Sequence, residues 1–375
     1  MQNFFLTWSY IPILAIKAGE ITALDQLPDK EKDNILPLFP IRGWTTAHKL
    51  SSAIEKIKSC IGDRQWIADI DETFLSSNKT FMFTGSYPNI PVYKEIESLL
   101  NPENGYANWC SFIEQNKTSI PCIRHENGIE LRLQIKNLSA LGRGLVLRIN
   151  PNESNFLKHA IIIQELLEHK EKNILIIYDL EAIDVNFNER RPLLEKYLAH
   201  AKQELPEAAL SISASSFPSS FSGQKVGEHT IYERLLFNSL EASQIYNPLI
   251  YSDRGSARAR KQDGGGGTPP PRIDYPLKKD WKFVRREVSD NIPNSKSLRK
   301  AAYIEIAKEI IDSGYWIPEL RLWGTQQIEL TAEGNEFAIY SAQKSTAARI
   351  NIHLFTQLYY NSKYEYINTD EEWVD

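Results

Sequence analysis

Short runs of consecutive apolar residues alternate with amphipathic stretches along most of the chain. The runs are four to seven residues long and continuous, which is typical of strands that are covered on both faces. They predict eight strands, at residues 10–16, 36–41, 65–70, 120–123, 145–149, 174–178, 210–214 and 248–251.

The stretches between these strands carry apolar residues three or four positions apart, as an amphipathic helix does. Leu50, Ile54, Ile57 and Ile61 fall on one face of such a helix. Further helices are predicted near residues 154–170, 188–205, 228–243 and 297–314.

Eight consecutive strand–helix units predict an α/β protein with a closed (β/α)8, TIM-like barrel over residues 1–316. The longest interval, between the third and fourth strands, contains FMFTGSYPNIPVY, which we expect to form an inserted hairpin or lid. Residues 317–375 are expected to be a helical appendage packed on the barrel.

Composition restricts the class of protein. The chain has 375 residues, 42% of them hydrophobic, and a formal net charge of −5, which argues against general nucleic-acid binding. The three cysteines form no CxxC pair and fit a reducing cytoplasm, so we expect a cytoplasmic protein. No apolar run approaches the roughly 20 residues of a membrane helix.

Ionisable residues occur at or just after the carboxyl ends of nearly all the predicted strands, which would meet at one end of a barrel. An apolar core does not need charge at so many strand ends, because unpaired buried charge is costly. We therefore expect a polar pocket there. The residues are Lys17, Glu20, Arg42, Asp69, Asp71, Arg124, His125, Arg148, Asp179, Asp253 and Arg254, with Ser213, Ser215 and Ser216 on the seventh strand.

The basic residues suit a small anionic ligand, and phosphate is the usual occupant of such a position. A loop with glycines at 264–267 precedes Arg272 and follows the eighth strand, where barrel phosphate sites often lie. The residues expected to bind the ligand are Lys17, Glu20, Arg42, Arg124, Arg148, Asp253, Arg254 and Arg272.

Carboxylates in the same pocket can hold a divalent cation or act as general acid and base. The catalytic candidates are Asp69, Asp71, Asp179 and His125. A phosphoester hydrolase or a nucleotide-processing enzyme is therefore the leading enzyme class, although GxSxG, HExxH and P-loop motifs are missing. The metal, and catalysis itself, stay open at this point.

Two other interpretations compete with a ligand pocket. The arginines and aspartates can simply pair with one another as a structural network. The protein would then be a catalytically inactive barrel that serves as an interaction scaffold or as a subunit of a protein complex.

Three segments together carry a family resemblance: YIPILAIKAGE near the start, YSDRGSARAR after the eighth strand, and GGGG followed by PRIDYPL. In this order they resemble the Beta protein family of bacteriophages and bacterial genomes, over about residues 10–316. The residues that match its motifs are Lys17, Gly19, Glu20, Asp253, Gly255, Arg272, Asp274 and Tyr275. The resemblance implies a role in phage–host conflict, as a phage-borne modifier or as part of a defence complex with a protein partner, but it implies no mechanism.

Overall fold

The computed structural model describes residues 3–45, 47–153, 155–259, 268–289 and 293–363. The glycines at 264–267 lie outside the described residues, so the expected phosphate loop cannot be placed. Chain contacts divide the molecule into two compact units. Unit 1 contains residues 1–17, 33–215 and 232–254, and unit 2 contains residues 18–32, 216–231 and the chain from 255 onward. The expected domain boundary at residue 316 stays a prediction.

Each of the eight apolar runs contains a strand, and further strands form after residue 225. The strands of the described residues are β1 (Tyr10–Pro12), β2 (Leu38–Ile41), β3 (Trp66–Ile70), β4 (Ser119–Pro121), β5 (Leu145–Ile149), β6 (Ile174–Ala182), β7 (Ala209–Ser215), β8 (Val226–Thr230), β9 (Leu249–Asp253), β10 (Arg272–Pro276) and β11 (Asp280–Arg285).

The helices alternate with the parallel strands in unit 1 and dominate the chain after β11. They are α1 (Ala18–Asp25), α2 (Asp29–Lys32), α3 (Leu50–Ile61), α4 (Glu72–Ser76), α5 (Lys79–Thr84), α6 (Pro91–Leu99), α7 (Glu103–Gln115), α8 (Leu131–Ser139), α9 (Phe156–His169), α10 (Arg191–Glu204), α11 (Tyr232–Glu241), α12 (Ser295–Ile311), α13 (Trp323–Ala332) and α14 (Ala342–Leu358), with short 3-10 helices at Phe4–Thr7 and Phe187–Glu189.

The eight-stranded barrel predicted from the sequence is wrong. Unit 1 instead has a five-stranded parallel sheet in the order β1-β9-β7-β6-β5 and a three-stranded parallel sheet in the order β2-β3-β4. Only isolated bridges join the two sheets, between Tyr10 and Ile35, Ile13 and Leu38, and Cys122 and Val146.

Proline residues explain why strand pairing does not continue from one parallel sheet of unit 1 to the other. β1 and β4 are three residues long and end at Pro12 and Pro121, and β2 contains Pro40. Proline has no amide hydrogen to donate, so it shortens or ends strand pairing. Apolar runs predict where strands form, but they do not reveal which strands pair.

The segment between β3 and β4 was expected to form an inserted hairpin or lid, and the hairpin is wrong. Residues 72–115 form the four helices α4–α7. Pro91 begins α6, where its fixed φ favours the first helical turn. The aromatic residues of this segment stack on one another rather than pairing across strands.

Unit 2 contains an antiparallel sheet in the order β10-β11-β8. Phe217, Phe221, Ile231, Trp281 and Phe283 form its apolar cluster. Among the described residues, no helix is both long enough and apolar enough to cross a lipid bilayer.

Candidate functional site

In unit 1 the side chains on one face of the parallel strands change from apolar to polar toward the carboxyl ends. Ile67 of β3 belongs to the apolar core cluster, and Asp69 follows it two positions later on the same face. The same step separates Ile177 from Asp179 on β6. It recurs from Cys122 to Arg124, from Val146 to Arg148, from Ala209 to Ser211 and Ser213, and from Ile250 to Ser252.

The polar side chains at these strand ends form an arginine–aspartate cluster of Asp69, Arg124, Arg148, Asp179 and Arg254. Asp179 lies at its centre and is almost completely buried. Its Oδ2 oxygen accepts hydrogen bonds from Nε and Nη2 of Arg148, at 2.9 and 2.7 Å, and from Nη2 of Arg254, at 2.5 Å. Its Oδ1 oxygen accepts from the Glu181 amide at 3.0 Å. Burial alone would raise the pKa of Asp179, but Arg254 and Arg148 hold it below its usual range.

Asp69 on β3 is a second buried carboxylate between two guanidinium groups. Nη1 of Arg148 donates to Oδ2 at 2.6 Å, and Nη1 of Arg124 donates to Oδ1 at 2.8 Å. Burial raises the pKa of Asp69, and the attraction of Arg148 and Arg124 outweighs it, so the net shift is downward. Both aspartates are therefore ionised at neutral pH, which makes them unsuitable as general acids.

Arg124 is held in place through its own backbone. The Gln134 side chain of α8 accepts from the Arg124 amide at 2.7 Å and donates to the Arg124 carbonyl at 3.1 Å. The Arg124 guanidinium also pairs with Glu72 and with Glu126, the latter at 3.1 Å. These two glutamates are about half exposed, whereas Asp69 is buried.

His125 lies beside this cluster, with Nε2 3.2 Å from the carbonyl oxygen of Arg148. Because a carbonyl only accepts, the hydrogen resides on Nε2 in this geometry and Nδ1 carries a lone pair. Nδ1 is buried 3.8 Å from a Glu126 oxygen and has no hydrogen-bond partner in the described ranges of the chain. Burial lowers the pKa of His125, so its ring is neutral at pH 7.

Arg42 and Asp71 form a neighbouring ion pair, at 3.1 Å. Asp71 precedes α4 and accepts a hydrogen bond from Thr73 instead of pointing into the cluster with Asp69. The Arg42 guanidinium lies 5.2 Å from the centre of the Phe74 ring. Among the described residues, Arg42 and Asp71 therefore form an ion pair of their own.

Three serine hydroxyls lie on the same face of the five-stranded sheet as the cluster. Ser213 pairs in register with Asp179, and Ser211 pairs with Ile177 and Ile250. Ser252 follows Ile250 by two positions, so its side chain points the same way. All three side chains are buried, and within the described part of the chain their Oγ atoms have no hydrogen-bond partner.

The remaining predicted site residues lie elsewhere. Lys17 is exposed, and Asp253, fully buried on β9, accepts a 2.5 Å hydrogen bond from Tyr10. Glu20 is buried in α1 and Arg272 is in β10, and both belong to unit 2 rather than to unit 1. Arg272 pairs there with Asp274 at 2.9 Å and lies 3.6 Å from the Phe221 ring centre.

No group of three or more histidine, cysteine, aspartate or glutamate side chains in the described part of the chain is arranged to hold a metal ion. The expectation of a divalent cation gains no support from this geometry and stays a prediction.

Two features of the site escaped the sequence analysis. Ser252 directly follows the apolar run at residues 248–251. The alternation of side chains along a strand places it on the same face as Ile250, and this spacing could have revealed it. Gln134 lies within a helix, and no pattern in that helix marks it as the residue that holds Arg124. Contacts of this kind depend on packing between distant segments.

Comparison with known proteins gives one family and one relative. The family model described as Beta protein matches residues 10–359. The chain is similar to "Protein beta" of Enterobacteria phage P4, with 27% identity over 382 residues that cover 99% of each chain. The match includes all the strands and the arginine–aspartate cluster. The chain belongs to the Beta protein family.

Proposed function

We propose that unit 1 binds a phosphate-bearing ligand, such as a nucleotide or a phosphoester, at the carboxyl ends of its parallel strands. The observation that carries the proposal is the sharing of one oxygen, Oδ2 of Asp179, by the guanidinium groups of Arg148 and Arg254. Two cations are thus held close together by a single buried carboxylate oxygen.

The charges of the cluster favour an added anion. Arg148 and Arg254 share the buried Asp179 carboxylate, whereas Arg124 pairs with Asp69 and also with the half-exposed Glu72 and Glu126. Burial and the nearby Arg148 cation lower the pKa of Arg254, while Asp179 and Glu181 act in the opposite direction. A phosphate group would accept hydrogen bonds from both guanidinium groups and place negative charge beside two neighbouring cations.

Position supports the same interpretation. Ligands of open parallel sheets bind beyond the carboxyl ends of the strands, because loops there leave a crevice and the strands supply converging side chains. β3, β5, β6 and β9 contribute or directly precede Asp69, Arg148, Asp179 and Arg254. The amino-end side of the same face is filled by the apolar core cluster.

A purely structural network is the second candidate, favoured by the observation that each of the three arginines already has a carboxylate partner. In that case the protein is a scaffold for a protein partner. The two candidates differ in one respect: a structural network has no affinity for phosphate compounds.

Calorimetric titration with phosphate, pyrophosphate, AMP and ATP separates them. We expect binding by the wild type and at least tenfold weaker binding by Arg254→Gln. Arg132→Gln is the matched control, because Arg132 is an exposed arginine paired with Glu165 and Glu168. Failure of all four compounds to bind would support the network and refute the ligand site.

Hydrolysis is the reaction class that this site would support, with His125 as general base. Its neutral ring and unpartnered Nδ1 support that assignment. His125→Asn should then abolish turnover of a phosphoester while leaving phosphate binding intact. Loss of binding together with turnover would instead give His125 a structural role.

We further propose a role in conflict between phage and host; its support is limited to the phage origin of the P4 relative. The direct test is to express the protein in a bacterial host and to compare plaque formation by challenging phages with that on cells expressing Arg254→Gln. We expect the wild type to change plaque numbers and the variant to behave like an empty vector. Equal activity of both proteins would separate any conflict role from the phosphate site.

A further inference from the structure

The buried hydroxyls of Ser213 and Ser252 are polar groups that the fold leaves unused. Both residues are fully buried in strands, and neither Oγ atom has a hydrogen-bond partner among the residues that the structure describes. A buried hydroxyl without a partner costs free energy, so native structures rarely keep one without a water or a ligand to satisfy it. Two such hydroxyls on adjacent strands of one sheet therefore point to an occupant.

The two hydroxyls lie on the face of the five-stranded sheet that carries Arg148 and Asp179. Ser213 pairs with Asp179, and the pairing of Ser211 with Ile250 brings Ser252 to the level of Ser213. Ser211, also unpartnered, lies two residues nearer the apolar core. The serines thus share a face with the side chains of Arg148 and Asp179.

The geometry points to a site for a terminal phosphoryl group, held between the hydroxyls of Ser213 and Ser252 and the guanidinium groups of Arg148 and Arg254. This inference rests on the proposed phosphate site and assigns its ligand to inorganic phosphate or a phosphate monoester. Serine hydroxyls donate hydrogen bonds to phosphate oxygens, and the arginines balance the charge.

The donor set favours a phosphate monoester over a diester. A monoester presents three non-bridging oxygens and up to two negative charges to the two hydroxyls and two guanidinium groups. A diester has only two such oxygens and one negative charge, so it can satisfy fewer of these donors. The pocket should therefore distinguish AMP from 3′,5′-cyclic AMP, which share base and ribose and differ in the second ester bond.

The test is calorimetric titration of AMP and cyclic AMP against the wild type, Ser213→Ala and Ser252→Ala. We expect the wild type to bind AMP at least tenfold more tightly than cyclic AMP. Each alanine variant should lose roughly tenfold in AMP affinity, as expected for one hydrogen bond to a charged group. Ser239→Ala is the control, because Ser239 donates to the Leu236 carbonyl within its own helix, α11.

The possible failures are distinguishable. Equal affinity for AMP and cyclic AMP, or AMP affinity unchanged in both serine variants, would refute this inference and leave the arginine site intact. Absence of binding by every phosphate compound would refute the proposed function as well. Thermal unfolding without added phosphate checks the variants, since removing a buried hydroxyl that lacks a partner should not lower stability.

Discussion

The guanidinium group of Arg254 donates to Asp179 with an Nη2–Oδ2 distance of 2.5 Å. The same oxygen already accepts two hydrogen bonds from Arg148. Two guanidinium groups are thus gathered at one carboxylate oxygen in a region largely removed from water. We interpret it as a site prepared for an oxyanion.

Removing the Asp179 charge should destabilise the protein strongly. Asp179→Asn leaves Arg254 and Arg148 adjacent and poorly compensated, which should lower the free energy of unfolding by about 3–5 kcal/mol. Urea denaturation measures this change. Saturating phosphate should restore more stability in the variant than it adds to the wild type, because it replaces the missing negative charge.

Asp33→Asn is the control for this substitution. Asp33 pairs with Arg64 at 2.6 Å, but its side chain is 62% exposed, so the loss should stay below about 1 kcal/mol. A similar small loss for Asp179→Asn would show that the buried charges do not contribute as the structure indicates.

Stability should decline in mild acid because of His159. This histidine is fully buried, and burial together with the nearby His200 lowers its pKa to about 4, from 6.5. Between these two values the unfolded chain binds a proton that the folded protein does not, so stability falls as pH drops from 6.5 to 4. This histidine should lower the free energy of unfolding by about 3 kcal/mol by the time the pH reaches 4.

Urea denaturation at several pH values, with His159→Gln for comparison, checks this prediction. Tyr178 donates to the Tyr197 carbonyl at 3.0 Å, so its hydroxyl accepts from His159, and glutamine can keep that bond. In this variant the free energy of unfolding should change much less between pH 6.5 and 4. His48→Gln, at an exposed site, should keep the pH dependence of the wild type. Equal slopes in His159→Gln and the wild type would contradict the assignment.

The local patterns of the sequence predicted strands and strand ends well. All eight apolar runs contain strands, and Asp69, Arg124, Arg148, Asp179 and Arg254 were picked out because they end such runs. In the structure these five residues contact one another. The alternation of side chains along a strand and the presence of a charged residue at its end are local features. A single sequence is enough to reveal them.

The sequence did not reveal in this way which strands pair or which residues belong to which unit. Pro12 and Pro121 interrupt the ladders, and this decides how strands divide into sheets without changing the apolar pattern. Glu20 and Arg272 looked equivalent to the other strand-end charges, yet they belong to unit 2. Their place depends on contacts with α14, which lies far away in sequence.

Gly105 should be intolerant of a side chain. Its φ is +68°, and an added Cβ would lie 2.8 Å from the Gln134 amide nitrogen. Gly105→Ala should therefore cost about 3 kcal/mol in urea denaturation, from backbone strain and overpacking together. Because Gln134 holds Arg124, the substitution should also weaken phosphate binding.

Gly142→Ala separates the two causes. Gly142 has nearly the same φ, +67°, but an added Cβ would meet no atom within 4 Å. Only the strain remains, so we expect a cost of about 1 kcal/mol and unchanged phosphate binding. Equal losses in the two variants would show that close packing at Gly105 contributes nothing.

A stack of aromatic rings should hold α5 in place. This helix has no buried residue, and Phe81 stacks on Tyr87 at 4.3 Å, which in turn stacks on Tyr93 at 5.7 Å. Tyr87→Ala removes both contacts and should speed amide hydrogen exchange in α5, with little change in the global melting temperature. Phe83→Ala, on the same helix but 86% exposed, should leave exchange unchanged, and faster exchange in that variant instead would contradict this role of the stack.

The most direct test of the phosphate site is a crystal structure of the protein with tungstate, a tetrahedral oxyanion that anomalous diffraction locates unambiguously. The structure predicts a tungsten peak within hydrogen-bonding reach of the Arg148 and Arg254 guanidinium groups, and its loss in Arg254→Gln crystals. A peak only elsewhere, or no peak with the arginine–aspartate pairs unchanged, would show that the cluster is a structural network.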